Sequence, residues 1–206
     1  SGLTIRNGYG LDLGGGVLLA AGLLVGGYTW TGVVEHCVLE TNAVQPGANG
    51  LAHGGGLCAR NYGAAFGLIV SNCVVRNNRA LPLTNANAAG AGLYVRLANS
   101  GSSLIADCLV ESNIATRGGG LFLQSAPQTI RNTVMRGNRT YGNDNDHGGA
   151  GLYATSLAPG EMYNCLVYEN MAYGRGGGVA VIYGQMNVYN CTVVSNTAAD
   201  GGGVWF

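Results

Sequence analysis

Apolar residues along this chain fall in short alternating runs, not in the i, i+3, i+4 stripes of a helix. Val, Ile, Leu and aromatic residues dominate the runs, as in Leu93-Tyr94-Val95 and Leu121-Phe122-Leu123, and the alternation predicts strands. The runs are tied to a repeat. A block of the form apolar-x-Asn-Cys-x-apolar-x-x-Asn recurs, followed by a glycine triplet and a short apolar strand. Its copies run from Val34-Glu35-His36-Cys37 to Asn42, from Val70-Ser71-Asn72-Cys73 to Asn78, and from Ile105-Ala106-Asp107-Cys108 to Asn113. Three more run from Ile130-Arg131-Asn132-Thr133 to Asn138, from Met162-Tyr163-Asn164-Cys165 to Asn170, and from Val188-Tyr189-Asn190-Cys191 to Asn196. A degenerate first copy is read as starting at Ile5-Arg6-Asn7-Gly8.

Successive Cys positions lie 36, 35, 25, 32 and 26 residues apart, so the bare unit is the shortest of these and the others carry insertions. A unit of that size fits one coil of three short strands and three turns, and self-similarity at a fixed period marks a solenoid. The L-x-x-L-x-L-x-x-N frame of leucine-rich repeats is absent, and a propeller blade would be longer. The expected fold is all-β: a single right-handed parallel β-helix of about seven coils, one domain over residues 1–206. Coils stacked at strand spacing make a rod on the order of 30–35 Å long and turn equivalent residues into ladders. The ladder of small buried residues is Cys37, Cys73, Cys108, Thr133, Cys165 and Cys191. The ladder of corner amides is Asn42, Asn78, Asn113, Asn138, Asn170 and Asn196. Each glycine triplet keeps its outer residues, while Ala91 and Ala150 replace the middle one, so the outer positions should need positive φ or close backbone approach. Residues 43–53, 79–89 and 139–147 are insertions that should leave the rod along one edge, and 20–32 form a separate one.

Composition narrows the function classes. An apolar fraction of 47% with only 10% charged residues supports a buried core and excludes a disordered chain. Formal charge is zero, Lys is absent and no basic run exists, so nucleic acid is not an expected partner. The longest apolar stretch, Val17 to Val25, is broken by Gly22 and is too short to cross a bilayer. Both ends fall inside repeat units, which predicts a segment of a longer chain or fibre. Open terminal coils at Leu3-Thr4-Ile5 and Val204-Trp205-Phe206 predict end-to-end self-association.

Asn113-Ile114-Ala115 running into Gly118-Gly119-Gly120-Leu121, Asn196-Thr197-Ala198 running into Gly201-Gly202-Gly203, and the opening Leu3-Thr4-Ile5-Arg6-Asn7-Gly8 resemble the repeats of bacterial secreted right-handed β-helix proteins. These include the polymorphic outer-membrane proteins and autotransporter-like passengers. The resemblance covers nearly the whole chain. It implies an exported stalk or adhesin at the cell surface or outside it, or less often a polysaccharide lyase.

The ladders carry several candidate chemistries. Parallel Cβ vectors on neighbouring strands suit a disulfide poorly, and no Cys-x-x-Cys or Cys-His spacing points to a metal, so the Cys file reads as core. Cys58 lies off that file and should point outward. Three residues after the ladder Cys come Glu40, Arg76, Glu111, Arg136, Tyr168 and Val194, whose alternating sign suits cross-strand pairing. Glu40 and Glu111, two coils apart at roughly 10 Å, are slightly too far apart for paired glycosidase carboxylates. The second position after each triplet gives Tyr94, Phe122, Tyr153 and Trp205, with Leu18, Cys58 and Ala180. These should point outward, and the aromatics form the candidate binding stripe for sugars or partner proteins. His53, Arg117, Arg175 and Asp200 precede triplets, with His147 one residue further out, and read as solvated turn residues on a mixed cationic edge suited to acidic glycans. Asn143-Asp144-Asn145-Asp146-His147 is oxygen-rich, which makes Asp144 and Asp146 candidate Ca²⁺ ligands, although the same residues simply favour turns. The sequons at Asn138 and Asn190 should be inaccessible. The expected function is an extracellular stalk, fibre or adhesin without catalysis. The alternative is a glycan-binding module or a carbohydrate-active enzyme, a polysaccharide lyase or glycoside hydrolase, working on the outer face.

Overall fold

In a computed structural model, described over residues 2–21, 30–61, 66–81, 88–98, 100–142, 148–155 and 159–206, the alternating runs form stacked parallel ladders. Four ribbons run along the rod. The first holds seven strands, from Thr4–Arg6 through Val38–Glu40, Val74–Arg76, Leu109–Glu111, Val134–Arg136 and Leu166–Tyr168 to Thr192–Val194. The second holds eight, among them Ala43–Gln45, Arg79–Ala80 and Ile114–Ala115. The third runs from Val17–Ala21 through Leu57–Asn61, Leu93–Leu97, Leu121–Ser125, Leu152–Thr155 and Val179–Ile182 to Val204–Trp205. The fourth runs from Trp30–Glu35 to Met186–Tyr189. A complete coil such as Leu93–Leu97, Ser102–Ala106, Leu109–Glu111 and Ile114–Ala115 therefore carries four strands, not the three expected from its length.

Pairing joins equivalent residues of successive coils: Val74 lies beside Leu109, which lies beside Val134. The Cys positions thereby form one file. The first coil departs from its expected alignment, because Ile5 pairs with Leu39 and Arg6 with Glu40. Ile5-Arg6-Asn7-Gly8 is thus a first-ribbon strand and corner, with Gly8 at the ladder-Asn position. It only imitates the apolar-x-Asn-Cys signature.

The corners explain the Asn content. Between the fourth and first ribbons, His36, Asn72, Asp107, Asn132, Asn164 and Asn190 hold φ between 49 and 56°. Asn and Asp tolerate this left-handed region better than other side chains, which accounts for the Asn of the Asn-Cys signature. Asn190 sits there exposed, so its sequon is on the surface, contrary to expectation, whereas Asn138 is fully buried. A second left-handed corner, at Thr41, Asn77, Ser112, Gly137, Glu169 and Ser195, precedes each ladder Asn.

The ladder Asn themselves do a different job. Asn78 N and Asn78 Nδ2 both donate to Asn113 Oδ1, at 3.0 Å each, and Asn78 Nδ2 donates to Leu39 O at 2.9 Å. The pattern repeats from Asn42 to Asn196, and each of these amides, buried except for the half-buried Asn196, satisfies backbone groups that the corner leaves without strand partners.

The two outer glycines of each triplet have separate causes. The first takes positive φ, as at Gly118 (56°). The third faces the next coil: a Cβ on Gly120 would stand 2.6 Å from Gly151 O and 3.1 Å from Asn138 Cγ. Inside the rod, Leu57, Ala59, Leu93, Val95, Leu121 and Leu123 of the third ribbon pack against Val70, Ile105 and Ile130 of the fourth and Val75, Val110 and Met135 of the first, in one continuous core.

Candidate functional site

On the third ribbon the residues between the core-facing ones point away from that core, as the alternation requires. They form two rows. Cys58, Tyr94, Phe122, Tyr153, Ala180 and Trp205 make one, and Arg60, Arg96, Gln124, Thr155 and Ile182 the other. The aromatic row is not the exposed stripe expected. Tyr94, Phe122 and Tyr153 are only 2, 3 and 2% exposed and, with Cys58, Ala89, Ala180 and Ile182, form a second apolar cluster outside the main core.

Stacking is the reason. Tyr94 and Phe122 lie 4.8 Å apart with planes 7° off parallel, and Phe122 and Tyr153 lie 5.2 Å apart at 8°. Coil spacing is near the stacking distance of aromatic rings, so in-register aromatics cover one another's faces. His53 caps the column at 4.1 Å from Tyr94, reaching across the small Cys58 of its own coil. His53 is therefore buried, not a solvated turn residue. Ala180 interrupts the row, so Trp205 stands outside the column and carries the Arg175 guanidinium 4.5 Å over its ring. Arg175 also faces Asp200 across one coil at 3.7 Å.

The column's edge floors a groove of about 330 Å³. Tyr94, Phe122 and Tyr153 supply ring edges, Arg96 and Arg117 charge, and Gln124 and Thr155 neutral donors and acceptors; Leu51, His53 and Tyr183 complete the lining. These residues span four coil steps, roughly 19 Å along the rod. None of them is Asp or Glu. Arg117 lies 5.7 Å from the Phe122 ring centre. Burial pushes the Tyr94 phenol up, against the pull of Arg60 and Arg96. Rings that occupy one another's faces cannot also carry a sugar face-on, so recognition here falls to edges, guanidinium groups and hydrogen bonds.

Family comparison was decisive for the fold: residues 19–206 match the model described as the right-handed beta helix region. The chain belongs to that family. Neither the curated proteins nor the solved structures gave a match.

One wall of the β-helix groove is clamped from the first coil. Asp12, at φ 64°, accepts hydrogen bonds from Gly47 N at 2.6 Å, Asn49 Nδ2 at 2.9 Å and Leu51 N at 3.3 Å. Loss of water around this carboxyl pushes its pKa up, but the bonds from Gly47, Asn49 and Leu51 outweigh that and hold it below its ordinary value. The insertion is thus folded back so that Leu51 lines the groove. Nothing in the repeat pattern flagged Asp12, whereas His53 was flagged but placed among solvated turn residues.

The Cys file repeats the geometry of the Asn ladder with thiols. Cys37 N donates to Cys73 Sγ (3.5 Å), Cys108 N to Thr133 Oγ1 (3.4 Å) and Cys165 N to Cys191 Sγ (3.4 Å). The Sγ atoms of Cys73, Cys108, Cys165 and Cys191 also reach a carbonyl of the preceding coil, as Cys73 does to Val34 O at 3.4 Å. All six thiols are free. Cys58 faces away from the core but is fully buried, and burial pushes its thiol up to about 12.

The charged file pairs across coils. Arg76 meets Glu40 and Arg136 meets Glu111, each at 2.7 Å, and Arg136 Nη1 donates to the Tyr168 hydroxyl at 2.9 Å. Asp144 and Asp146, the candidate calcium ligands, lie outside the described residues. Among the described residues no helix is long and apolar enough to cross a membrane.

Proposed function

We propose that this β-helix is a non-catalytic element of an extracellular or cell-surface stalk, fibre or adhesin, of the kind its repeats resemble, and that its groove on the third ribbon is the contact surface for an acidic glycan. One observation carries the reading: the groove lining gathers Arg96 and Arg117 with hydroxyl and amide groups, and includes no carboxylate among the described residues. Guanidinium groups match carboxylates in a planar, two-bond geometry. Neutral donors and acceptors suit a polyhydroxylated chain, and a groove running along the rod suits a linear one. Acid–base glycoside hydrolysis calls instead for a pair of carboxyl groups flanking the bond.

Titration calorimetry with a panel of acidic and neutral oligosaccharides tests this. Binding of an acidic member, with no new product on prolonged incubation, and loss of binding in Arg96→Ala with Arg117→Ala, is the expected result. The enzyme reading draws on a single feature, the hydrogen bond between the Tyr94 phenol and Arg96, which places a proton donor beside a cation. Release of unsaturated uronate products, abolished in Tyr94→Phe, would favour a lyase and reject the adhesin.

A further inference from the structure

At one end of the third-ribbon groove stands a residue whose backbone is at odds with its side chain. Tyr183 follows the strand Val179–Ile182 and holds φ 54°. Left-handed backbone crowds a Cβ, and Gly, Asn and Asp carry it at least cost. Tyr183 is the one Tyr, Phe or Trp among the described residues with positive φ. The corner itself does not call for an aromatic. Gln124 pairs with Thr155 and Thr155 with Ile182, so Ser125, one residue past Gln124, holds the place equivalent to Tyr183 two coils away, with φ 77°. A serine therefore makes the same turn. Strain kept where the fold does not demand it points to a use of the side chain.

Its surroundings say which use. Tyr183 is 81% exposed, the highest value among the large hydrophobic residues described, and it still lines the groove. Tyr94, Phe122 and Tyr153 are buried because each ring covers the next, which leaves only their edges to a ligand. A ring as exposed as Tyr183 presents a face. The negative face of an aromatic ring attracts the positively polarised C–H bonds that a pyranose carries on its own flat side. Position sets the size of the ligand. Arg96, Gln124, Thr155 and Ile182 form one row, so Tyr183 stands three coil steps from Arg96, roughly 14 Å along the rod. Arg117 precedes the strand Leu121–Ser125, two coil steps from Val179–Ile182, or roughly 10 Å. A single sugar ring spans neither distance, whereas a linear oligosaccharide spans both.

We infer that Tyr183 is a sugar-stacking platform, which takes one pyranose ring of an acidic oligosaccharide whose carboxylates are held by Arg96 and Arg117. The inference rests on the acidic-glycan reading of the groove and adds to it a minimum ligand length and a contact that is indifferent to charge. Short acidic ligands bind at the guanidinium groups alone. Longer ones reach Tyr183 and gain affinity there. The stack needs the ring and not the phenol hydroxyl, so Tyr183→Phe retains it. Tyr183→Ser removes it while copying the corner that Ser125 already makes.

Uronate di- and hexasaccharides are titrated calorimetrically into wild type, Tyr183→Ser and Tyr183→Phe. Tyr183→Ser should fold, with a thermal midpoint at or above that of wild type, because it exchanges a strained Tyr for the residue used at the equivalent corner. It should bind the hexasaccharide about tenfold more weakly, the scale of one aromatic stacking contact, and the disaccharide as wild type does. Tyr183→Phe should bind both ligands as wild type does. Hexasaccharide affinity that is unchanged in Tyr183→Ser, or lowered equally in Tyr183→Phe, overturns the platform and leaves the acidic-glycan groove standing. So does a disaccharide loss in Tyr183→Ser as large as the hexasaccharide loss. A wild type that binds neither ligand overturns the groove reading and the platform with it. Magnetisation transfer between the Tyr183 ring and the hexasaccharide C–H protons, measured in wild type, needs no variant. Transfer supports the stack, and its absence in the bound complex overturns it.

Discussion

Asn113 and Asn138, one coil apart, are joined twice: the backbone N and the Nδ2 of Asn113 both donate to Asn138 Oδ1 at 3.0 Å. Asn113 Nδ2 also donates to Val75 O, and Asn113 Oδ1 accepts from Asn78 N and Nδ2. A single buried amide thus links three coils. Asn113→Ala leaves at least Asn78 N and Val75 O without these bonds in a dry interior, at about 1–3 kcal/mol for each buried group left unpaired. Urea unfolding should show a loss of that size. The same change at the half-buried Asn196, whose surroundings are wetter, should cost visibly less.

The thiol ladder should tolerate exchange with threonine. Thr133 Oγ1 bonds to Cys108 N and Arg131 O much as the sulfurs bond at equivalent positions. Cys165→Thr and Thr133→Cys are close in shape and keep a donor and an acceptor, so each should shift stability by less than about 1.5 kcal/mol. Cys165→Ala lacks the bond to Tyr163 O and should be worse than Cys165→Thr in the same thermal melt.

Gly120→Ala should destabilise the rod by about 1–3 kcal/mol, the usual cost of an overpacked interior. Its new Cβ meets a backbone oxygen, Gly151 O, and the ladder amide of Asn138, neither of which can swing aside. Chemical denaturation of the variant measures the effect. Weaker hydrogen-exchange protection at Leu121 N, which donates to Gly151 O at 3.0 Å, should accompany it.

Acid should release the groove wall before it unfolds the rod. The Asp12 carboxyl titrates below its ordinary value of 3.8, so its stabilisation of the 46–51 loop is complete above that pH. It is lost as pH falls through the lower folded-state value. Amide exchange at Gly47 and Leu51 should accelerate in that range while Asn113 N stays protected. Asp12→Asn should show fast exchange at Gly47 already at neutral pH.

Much of this was legible in the sequence because a solenoid writes its structure into a repeat. The ladder Asn, the Cys file and the outer glycines each recur for a reason local to one coil. The alignment of the first coil was not legible from Ile5-Arg6-Asn7-Gly8, since both corners take left-handed residues and both accept Asn. The alternating charge file could have resolved it: Arg6 beside Glu40 continues the sign change to Arg76. The burial of the aromatic stripe was not legible because alternation tells which way Tyr94 points but not what covers it. The cover comes from neighbouring coils, from His53 reaching over Cys58 and from stacking along the row. Those contacts depend on side-chain size in two coils at once, which a repeat written in classes of residue does not record.

Ladders and groove both require that equivalent residues of successive coils be nearest neighbours in space. Nuclear Overhauser contacts in the labelled protein measure this directly, between the Tyr94 and Phe122 rings and between the Asn113 and Asn138 side-chain amides. Strong cross-peaks for both pairs are predicted. Their absence, with Tyr94 or Asn113 instead contacting residues that are not their equivalents one coil away, would contradict the stacked-coil account.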